Sequence, residues 1–283
     1  MSTGPATRLV DAVDSRALPV YAAGAVAVPY VIDGMDELVE RETVWSPHAH
    51  PTHELLWNLR GASTVTAADR TWAITPTTGL WLPAGTLHTA RAPAGTWYRA
   101  AQFGVHAVRP LADAPVAVEV TPLLALLLAR LQEPGLAEES RALTEQMVLD
   151  VLVPAPHAVA VTTPRAPLLR PVVDAVTADP GDPRTLADWA AALGVSPRTL
   201  TRAFRAQTGL SLGGWQAAVR AQRAVLLLAA GERVDEVADA AGYASASAFG
   251  AAFRRQTGRA PSAFQPPVGA AGVPMARADV PIA

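Results

Sequence analysis

The spacing of hydrophobic and polar positions changes once along the chain. From about Leu18 to about Val108, short β-rich runs alternate with turn residues: LPVYAAG, VAVPYVI, ELLWNLRG, STVTAADRTWAI, GLWLPAG and TWYRAAQFGV. Runs of this kind and spacing predict the short strands of a small antiparallel barrel or sandwich. From Thr121 the apolar positions recur at helical intervals. TPLLALLLARLQE and AEESRALTEQMVLDVL read as two apolar-faced helices, separated by the turn residues Pro134 and Gly135. The first has few basic residues, so it reads as core or dimer interface rather than a membrane-surface helix. VPAPHAVAVTTPRAPLLRP then places five prolines in 19 residues. Residues 153–169 therefore read as an interdomain linker, because proline removes a backbone donor and fixes φ. The tail, 266–283, reads as disordered.

The back half contains a repeat. TLADWAAALGVSPRTLTRAFRAQTGLSLGGW recurs, more loosely, as RVDEVADAAGYASASAFGAAFRRQTGRAPSAF. Phe204, Arg205, Gly209 and Trp215 each lie 49 residues before Phe253, Arg254, Gly258 and Phe264, so one supersecondary unit is used twice. Thr185 and Asp188 have capping-box spacing, and Leu186, Trp189, Ala190 and Leu193 make an inner face. Gly194 ends that helix. Ser196 caps the next, with Pro197 at its first position, where the missing N–H is harmless. The result is a helix-turn-helix. The second unit repeats it with Gly242 and Tyr243 in the turn and Ser245 as cap. A connecting helix is predicted from about Trp215 to Ala230.

Buried residues set the phase of each second helix. With Leu200 and Phe204 inside, Arg198, Thr201, Arg202 and Arg205 share the outer face. Arginines on a short exposed face suit the major groove, where each can grip guanine O6 and N7 or neutralise a phosphate. With Phe249 and Phe253 inside, the matching set is Ser247, Gly250, Ala251 and Arg254, and Arg255 follows. The doubled unit resembles the AraC/XylS family of bacterial transcription regulators over about residues 170–265. The resemblance implies two helix-turn-helix units on a shared long helix, each placing a recognition helix in successive major grooves. By position it maps base reading to Arg198, Thr201 and Arg202 in the first unit. In the second it maps base reading to Ala246, Ser247, Gly250 and Ala251, leaving Arg254 and Arg255 for the backbone.

Charge agrees with this division. Residues 1–169 hold 11 Arg against 16 Asp and Glu, whereas residues 170–283 hold 12 Arg against 9. A mildly basic back half is where a polyanion would bind. There is no cysteine, which excludes disulfides, thiolate metal sites and cysteine nucleophiles and fits a cytoplasmic protein. No secretory leader or membrane-spanning run is predicted.

The front half holds SPHAHPTHELLWNLRG and, downstream, LPAGTLH. In one extended strand His48, His50 and Glu54 would point to a single face and His53 to the other, unless Pro51 introduces a bulge. His88, after a Pro-Ala-Gly turn, is placed to return to the same cavity. Three imidazoles and a carboxylate suit a divalent first-row ion such as Zn²⁺, Ni²⁺ or Fe²⁺. The alternative is that the four line an effector pocket. The spacing His48-x-His50-x3-Glu54-x6-Gly61 and Pro83-x-Gly85-x2-His88 resembles the two motifs of the cupin barrel. Glu42, Thr77 and Ala92 depart from the framework positions of those motifs.

The expected fold class is α+β in two domains. Residues 1–152 form an antiparallel cupin-like β-barrel with helices, for effector binding and dimerisation. Residues 170–265 form an all-α double helix-turn-helix. The function expected is that of a sequence-specific DNA-binding transcription regulator, an activator by resemblance, whose front domain senses a small molecule. Its partners are a double-stranded operator, the effector, RNA polymerase and a second copy of the chain. A metal-responsive regulator and a metal-dependent cupin enzyme with a DNA-binding appendage are the alternatives. No catalytic residue is assigned.

Overall fold

The computed structural model describes residues 13–265. The tail read as disordered, and most of the N-terminus read as lacking a leader, lie outside these residues. Among the described residues no helix is long and apolar enough to cross a membrane.

The front half is built from two sheets. The five-stranded sheet has the order β10-β7-β4-β9-β2, comprising β2 (Ile32–Leu38), β4 (His53–Arg60), β7 (Thr78–Leu82), β9 (Trp97–Phe103) and β10 (Val116–Glu119). All its pairings are antiparallel. The six-stranded sheet has the order β1-β3-β8-β5-β6-β11. Its members are β1 (Asp14–Arg16), β3 (Thr43–His48), β5 (Ser63–Ala67), β6 (Arg70–Ile74), β8 (His88–Ala92) and β11 (Ala160–Thr162), and only β1 runs parallel to its neighbour.

Period-two alternation decides which side chains enter the space between the sheets. In register, Glu54 faces Gln102 and Asn58 faces Tyr98 across β4 and β9. This face meets the other sheet: Tyr98 packs edge-on against Trp45 of β3, with ring centroids 5.2 Å apart. The opposite face carries Leu55, Trp57, Ala101 and Phe103. It is covered by α1 (Pro122–Arg130) and α2 (Glu138–Val151), whose Leu124, Leu127, Leu128 and Val148 join the same core. Thr121 caps α1 by accepting from the Leu124 N–H at 3.2 Å, and Gly135, at φ +76°, makes the turn between the helices.

Two of the expected strands do not form. LPVYAAG and VAVPYVI lie outside the sheets except for an isolated bridge at Val20 and Ile32 at the start of β2. Val20 is 65% exposed and Val26 44%, so these apolar runs have no buried face to stabilise a strand. The edge strand is instead the polar segment IDGMDEL, of which one face alone is covered.

The proline-rich connection is structured. Between its prolines, Ala160–Thr162 pairs antiparallel with β6 as an edge strand, and Pro167–Leu169 forms a short 3₁₀ turn. Arg165 donates to the Ala68 carbonyl at 2.6 Å, and the indole N–H of Trp215 donates to the Thr162 carbonyl at 2.8 Å. Gln222 reaches across to the Thr71 carbonyl at 2.7 Å. Prolines at both ends left the strand unpredicted, but an edge needs ladder bonds on one side only.

The back half contains α3 (Arg170–Ala178), α4 (Leu186–Ala192), α5 (Pro197–Thr208), α6 (Leu212–Ala229), α7 (Val234–Ala240) and α8 (Ala246–Thr257). The connecting helix α6 begins three residues earlier than expected because the Ser211 hydroxyl accepts from the Gly214 N–H at 3.2 Å. One cluster joins Val172, Trp189, Leu200, Phe204 and Trp215. Another joins Val225, Leu228, Val237, Phe249, Phe253 and Phe264. The two halves of α6 thus serve two cores, and its 18 residues hold the units apart over roughly 27 Å.

Candidate functional site

The two second helices of the repeat, α5 and α8, share one frame. Each has 12 residues. Ser196 caps α5 by accepting from the Thr199 N–H at 3.1 Å, and Ser245 caps α8 by accepting from the Ala248 N–H at 3.2 Å. Gly209 and Gly258 end them at φ +73° and +72°, a left-handed conformation that disfavours a Cβ. The Thr185–Asp188 capping box also forms, closed by bonds of 2.8 and 3.2 Å.

The exposed faces differ. On α5, Arg198, Arg202 and Arg205 are exposed and form no ion pair among the described residues, whereas nearby Arg184 is paired with Asp182 and Arg233 with Asp235. Their guanidinium groups are free to meet a polyanion. Thr201 is half-buried and donates its hydroxyl to the Pro197 carbonyl at 2.9 Å. It therefore presents a methyl group and acceptor lone pairs to a partner. On α8, Ser247, Ala251, Arg254 and Arg255 are exposed and Gly250 is half-buried. A Cβ built on Gly250 would meet nothing within 4 Å, so its surface is shallow and open.

The front-half candidates converge, but not along one strand. β3 ends at His48, residues 49–52 turn the corner, and β4 starts at His53. His50 and Glu54 therefore meet across a corner, with Nε2 and Oε1 3.5 Å apart. This replaces the expected single extended strand; the physical reason is Pro51, which cannot donate to a ladder. His88 is brought in by the Pro83–Gly85 turn, tied down by the Gly85 N–H to the His50 carbonyl at 2.8 Å. Gly85 is at φ +74°, and a Cβ there would lie 2.9 Å from the Ala23 nitrogen. His53 leaves the group, stacking on Trp81 at 5.4 Å and accepting from the Ala84 N–H at 3.0 Å.

Within the cluster, one nitrogen from each of His48, His50 and His88 lies within 4.8 Å of the others. His48 Nδ1 lies 2.7 Å from the Ser46 carbonyl and His88 Nδ1 lies 2.9 Å from that of Thr86. Both nitrogens must donate, which leaves each Nε2 with its lone pair, the tautomer of a ligating histidine. Burial holds all three imidazoles below the usual histidine pKa and pushes the fully buried Glu54 carboxyl up. Glu54 Oε1 accepts from Gln102 at 2.8 Å, while Oε2 has no hydrogen-bond partner and faces His88 Nε2 at 3.5 Å. Two acceptors face one another, so a proton or a cation belongs between them. The sequence motifs identified the four residues but not Gln102, whose role depends on its register opposite Glu54.

A family profile described as an AraC-like ligand binding domain matches residues 40–148, and one described as a helix-turn-helix domain matches residues 189–266. The chain is 26% identical over 240 residues to the HTH-type transcriptional regulator NimR of Escherichia coli (strain K12), covering 82% of this chain and 84% of that protein. It is 41% identical over 108 residues to the HTH-type transcriptional regulator RipA of Corynebacterium glutamicum, covering 37% of this chain and 33% of that protein. The chain thus spans about a third of RipA. Among solved structures, unsaturated fatty acid bound ToxT from Vibrio cholerae aligns at a TM-score of 0.34 and 12% identity, covering 82% of this chain and 93% of that one.

Proposed function

This chain belongs to the AraC family of DNA-binding transcription regulators and carries an N-terminal ligand-binding domain; on that premise we propose that α5 supplies most of its base readout. The observation behind this is the unpaired arginine face of α5 set beside the same frame in α8 without long side chains. Arg198 and Arg202 read bases, Arg205 grips phosphate, and Thr201 offers its methyl. Arg254 and Arg255 hold phosphates while Ser247 and Gly250 allow close approach. Genome-wide mapping of bound sites, followed by affinity measurements on the recovered operator, tests the reading. Recovery of no common sequence would contradict it.

Gly250 provides a separate test. Gly250→Ala should raise stability by about 0.5–1 kcal/mol, because glycine inside a helix is costly and the added methyl meets no neighbour. Operator affinity should fall nevertheless, since the methyl lies on the face turned to DNA. A variant that is stabilised in urea and binds as well as the parent would remove this role from Gly250.

The remaining assignments follow the same reading. The effector is a small molecule bound by the front domain, and the protein acts by binding rather than turnover, in keeping with the regulators it resembles. It works in the cytoplasm as an activator that engages RNA polymerase. Leu126 and Leu143, 69% and 63% exposed on α1 and α2, form the contact with a second copy. The division of labour places effector binding and dimerisation in residues 1–152 and DNA binding in 170–265, with 153–169 coupling them.

A second reading rests on the acceptor pair between Glu54 Oε2 and His88 Nε2. His48, His50, His88 and Glu54 fit a divalent first-row ion: neutral imidazoles, an orphaned buried carboxylate oxygen and carbonyl-oriented rings. When bound, such an ion would supply positive charge and open coordination to an effector. Tag-free protein should then contain about one equivalent of Zn²⁺, Ni²⁺ or Fe²⁺ and melt higher with it. His48→Ala and His88→Ala should lose both properties. Metal-free protein that no such ion stabilises would eliminate this reading.

A further inference from the structure

The two helix-turn-helix units have separate cores. Among the described residues, the cluster around Trp189, Leu200 and Phe204 and that around Val237, Phe249 and Phe253 share no buried member. With α6 as the only link, the angle between α5 and α8 would follow every bend of one helix. A second link exists. The loop of residues 179–184, which joins α3 to α4 in the first unit, reaches the turn between α7 and α8 in the second. Gly242 in that turn is at φ +74°, and a Cβ there would lie 3.2 Å from Gly181 Cα and 3.3 Å from its carbonyl oxygen. The two backbones thus touch with no side chain between them.

Arg220 closes this junction. It lies on α6 between Val219, which packs on the first core, and Ala221, which belongs to the second. Its Nε donates to the Pro180 carbonyl at 2.6 Å and its Nη2 to the Asp182 carbonyl at 3.3 Å. The same guanidinium lies 5.9 Å from the centre of the Tyr243 ring, and Tyr243 packs on Phe249 of α8 with centroids 5.6 Å apart. The loop it holds is itself stiff. Asp182, 6% exposed, pairs with Arg184 and accepts from the Arg184 backbone N–H at 2.9 Å. The Arg184 guanidinium in turn sits 3.7 Å over Trp189 of α4. One planar cation therefore answers two carbonyls of the first unit and an aromatic ring of the second, which a lysine ammonium cannot reproduce.

We propose that Arg220 is a positioning residue for DNA recognition: with Tyr243 and the 179–184 loop it fixes α5 relative to α8, and so sets the number of base pairs between the two segments they contact. The inference rests on the reading that both helices meet one operator. Each base pair inserted between the segments moves them apart by roughly 3.4 Å and turns them by roughly 35°. A braced pair of helices cannot follow that change, whereas a pair joined by α6 alone can follow part of it by bending.

The test uses full-length protein at fixed salt on the operator recovered by site mapping, with one base pair inserted or deleted between the segments that α5 and α8 protect in a hydroxyl-radical footprint. The parent should bind each altered spacing at least about tenfold more weakly than the natural one. Arg220→Met keeps the stem and the helix propensity. Its ratio between altered and natural spacing should shrink to about threefold or less. Tyr243→Leu should shift the ratio in the same direction. Arg220→Lys should fall between Arg220→Met and the parent, and carries the test if the methionine variant does not fold. A parent indifferent to spacing would overturn the two-helix contact and the inference with it. A spacing-sensitive parent whose Arg220 variants lose affinity by one common factor at every spacing would overturn the positioning role alone, since damage to folding or loss of a phosphate contact leaves the ratio unchanged.

Discussion

Trp215→Ala is expected to unfold the back half of the protein and abolish operator binding. The ring is 1% exposed and packs 5.6 Å from Phe204, which positions α5 from behind. Truncating a buried tryptophan costs about 3–5 kcal/mol. Losing the bond to Thr162 leaves a carbonyl of β11 unanswered, for roughly a further 1 kcal/mol. Alanine is the strongest helix former, so the loss would arise from packing and not from helicity. Because Thr162 lies on the strand added to β6, the damage should also loosen the grip of the back half on the six-stranded sheet. Urea unfolding followed by the remaining tryptophans would measure it. A loss under about 1 kcal/mol would mean that the cavity collapses, and that Trp215 does not organise the first unit.

The second large effect is expected at Arg202→Ala. This side chain is exposed on α5 with no intramolecular partner among the described residues, so folding stability should change by less than about 0.5 kcal/mol. Specific affinity should fall by about 1–3 kcal/mol, and preference at one base pair should relax. Arg205→Ala should instead weaken binding to all sequences alike and reduce its salt dependence. Equal operator affinity and an unrelaxed base preference in Arg202→Ala would remove that residue from base readout.

The two parts of the chain were unequally legible before the structure. The helix-turn-helix units could be read almost residue by residue, since caps and breakers are local: Ser196 with Pro197, Gly194, and Ser245 ahead of the Phe249–Phe253 pair all act within one turn. Burial of those phenylalanines, and hence the outward phase of the arginines, followed from spacing alone. The front half was less legible because its strands are stabilised by distant partners. IDGMDEL, without the composition of a strand, forms an edge strand only through β9; Ala160–Thr162 has that composition but lies between prolines and pairs only through β6.

The site residues show the same division. Motif spacing singled out His48, His50, Glu54 and His88, which the fold brings together, yet the strand assumed to align them was a corner at Pro51. Gln102 and Ser46 enter through register and loop path, which composition does not encode. The burial of Arg99 gave no sign in the sequence: an arginine in an alternating strand reads as solvent-facing, yet this one is 6% exposed, with Gln132, Asp36 and the Trp57 ring around it. The Pro-rich connection reads as an interdomain linker, but its spacing does not show that β11 joins the six-stranded sheet and accepts from Trp215, while Gln222 bonds Thr71 of β6 directly. Effector control is therefore expected to act through this packed interface rather than through a free tether.

The most direct test is a base-by-base substitution scan of the mapped operator against the full-length protein at fixed salt, with the α5 half-site identified by the base at which Arg202→Ala loses discrimination. Substitutions beneath α5 should each cost about 1–3 kcal/mol, and those beneath α8 well under half as much. Equal sensitivity in the two half-sites, or greater sensitivity beneath α8, would contradict the assignment of base readout to the arginine face of α5.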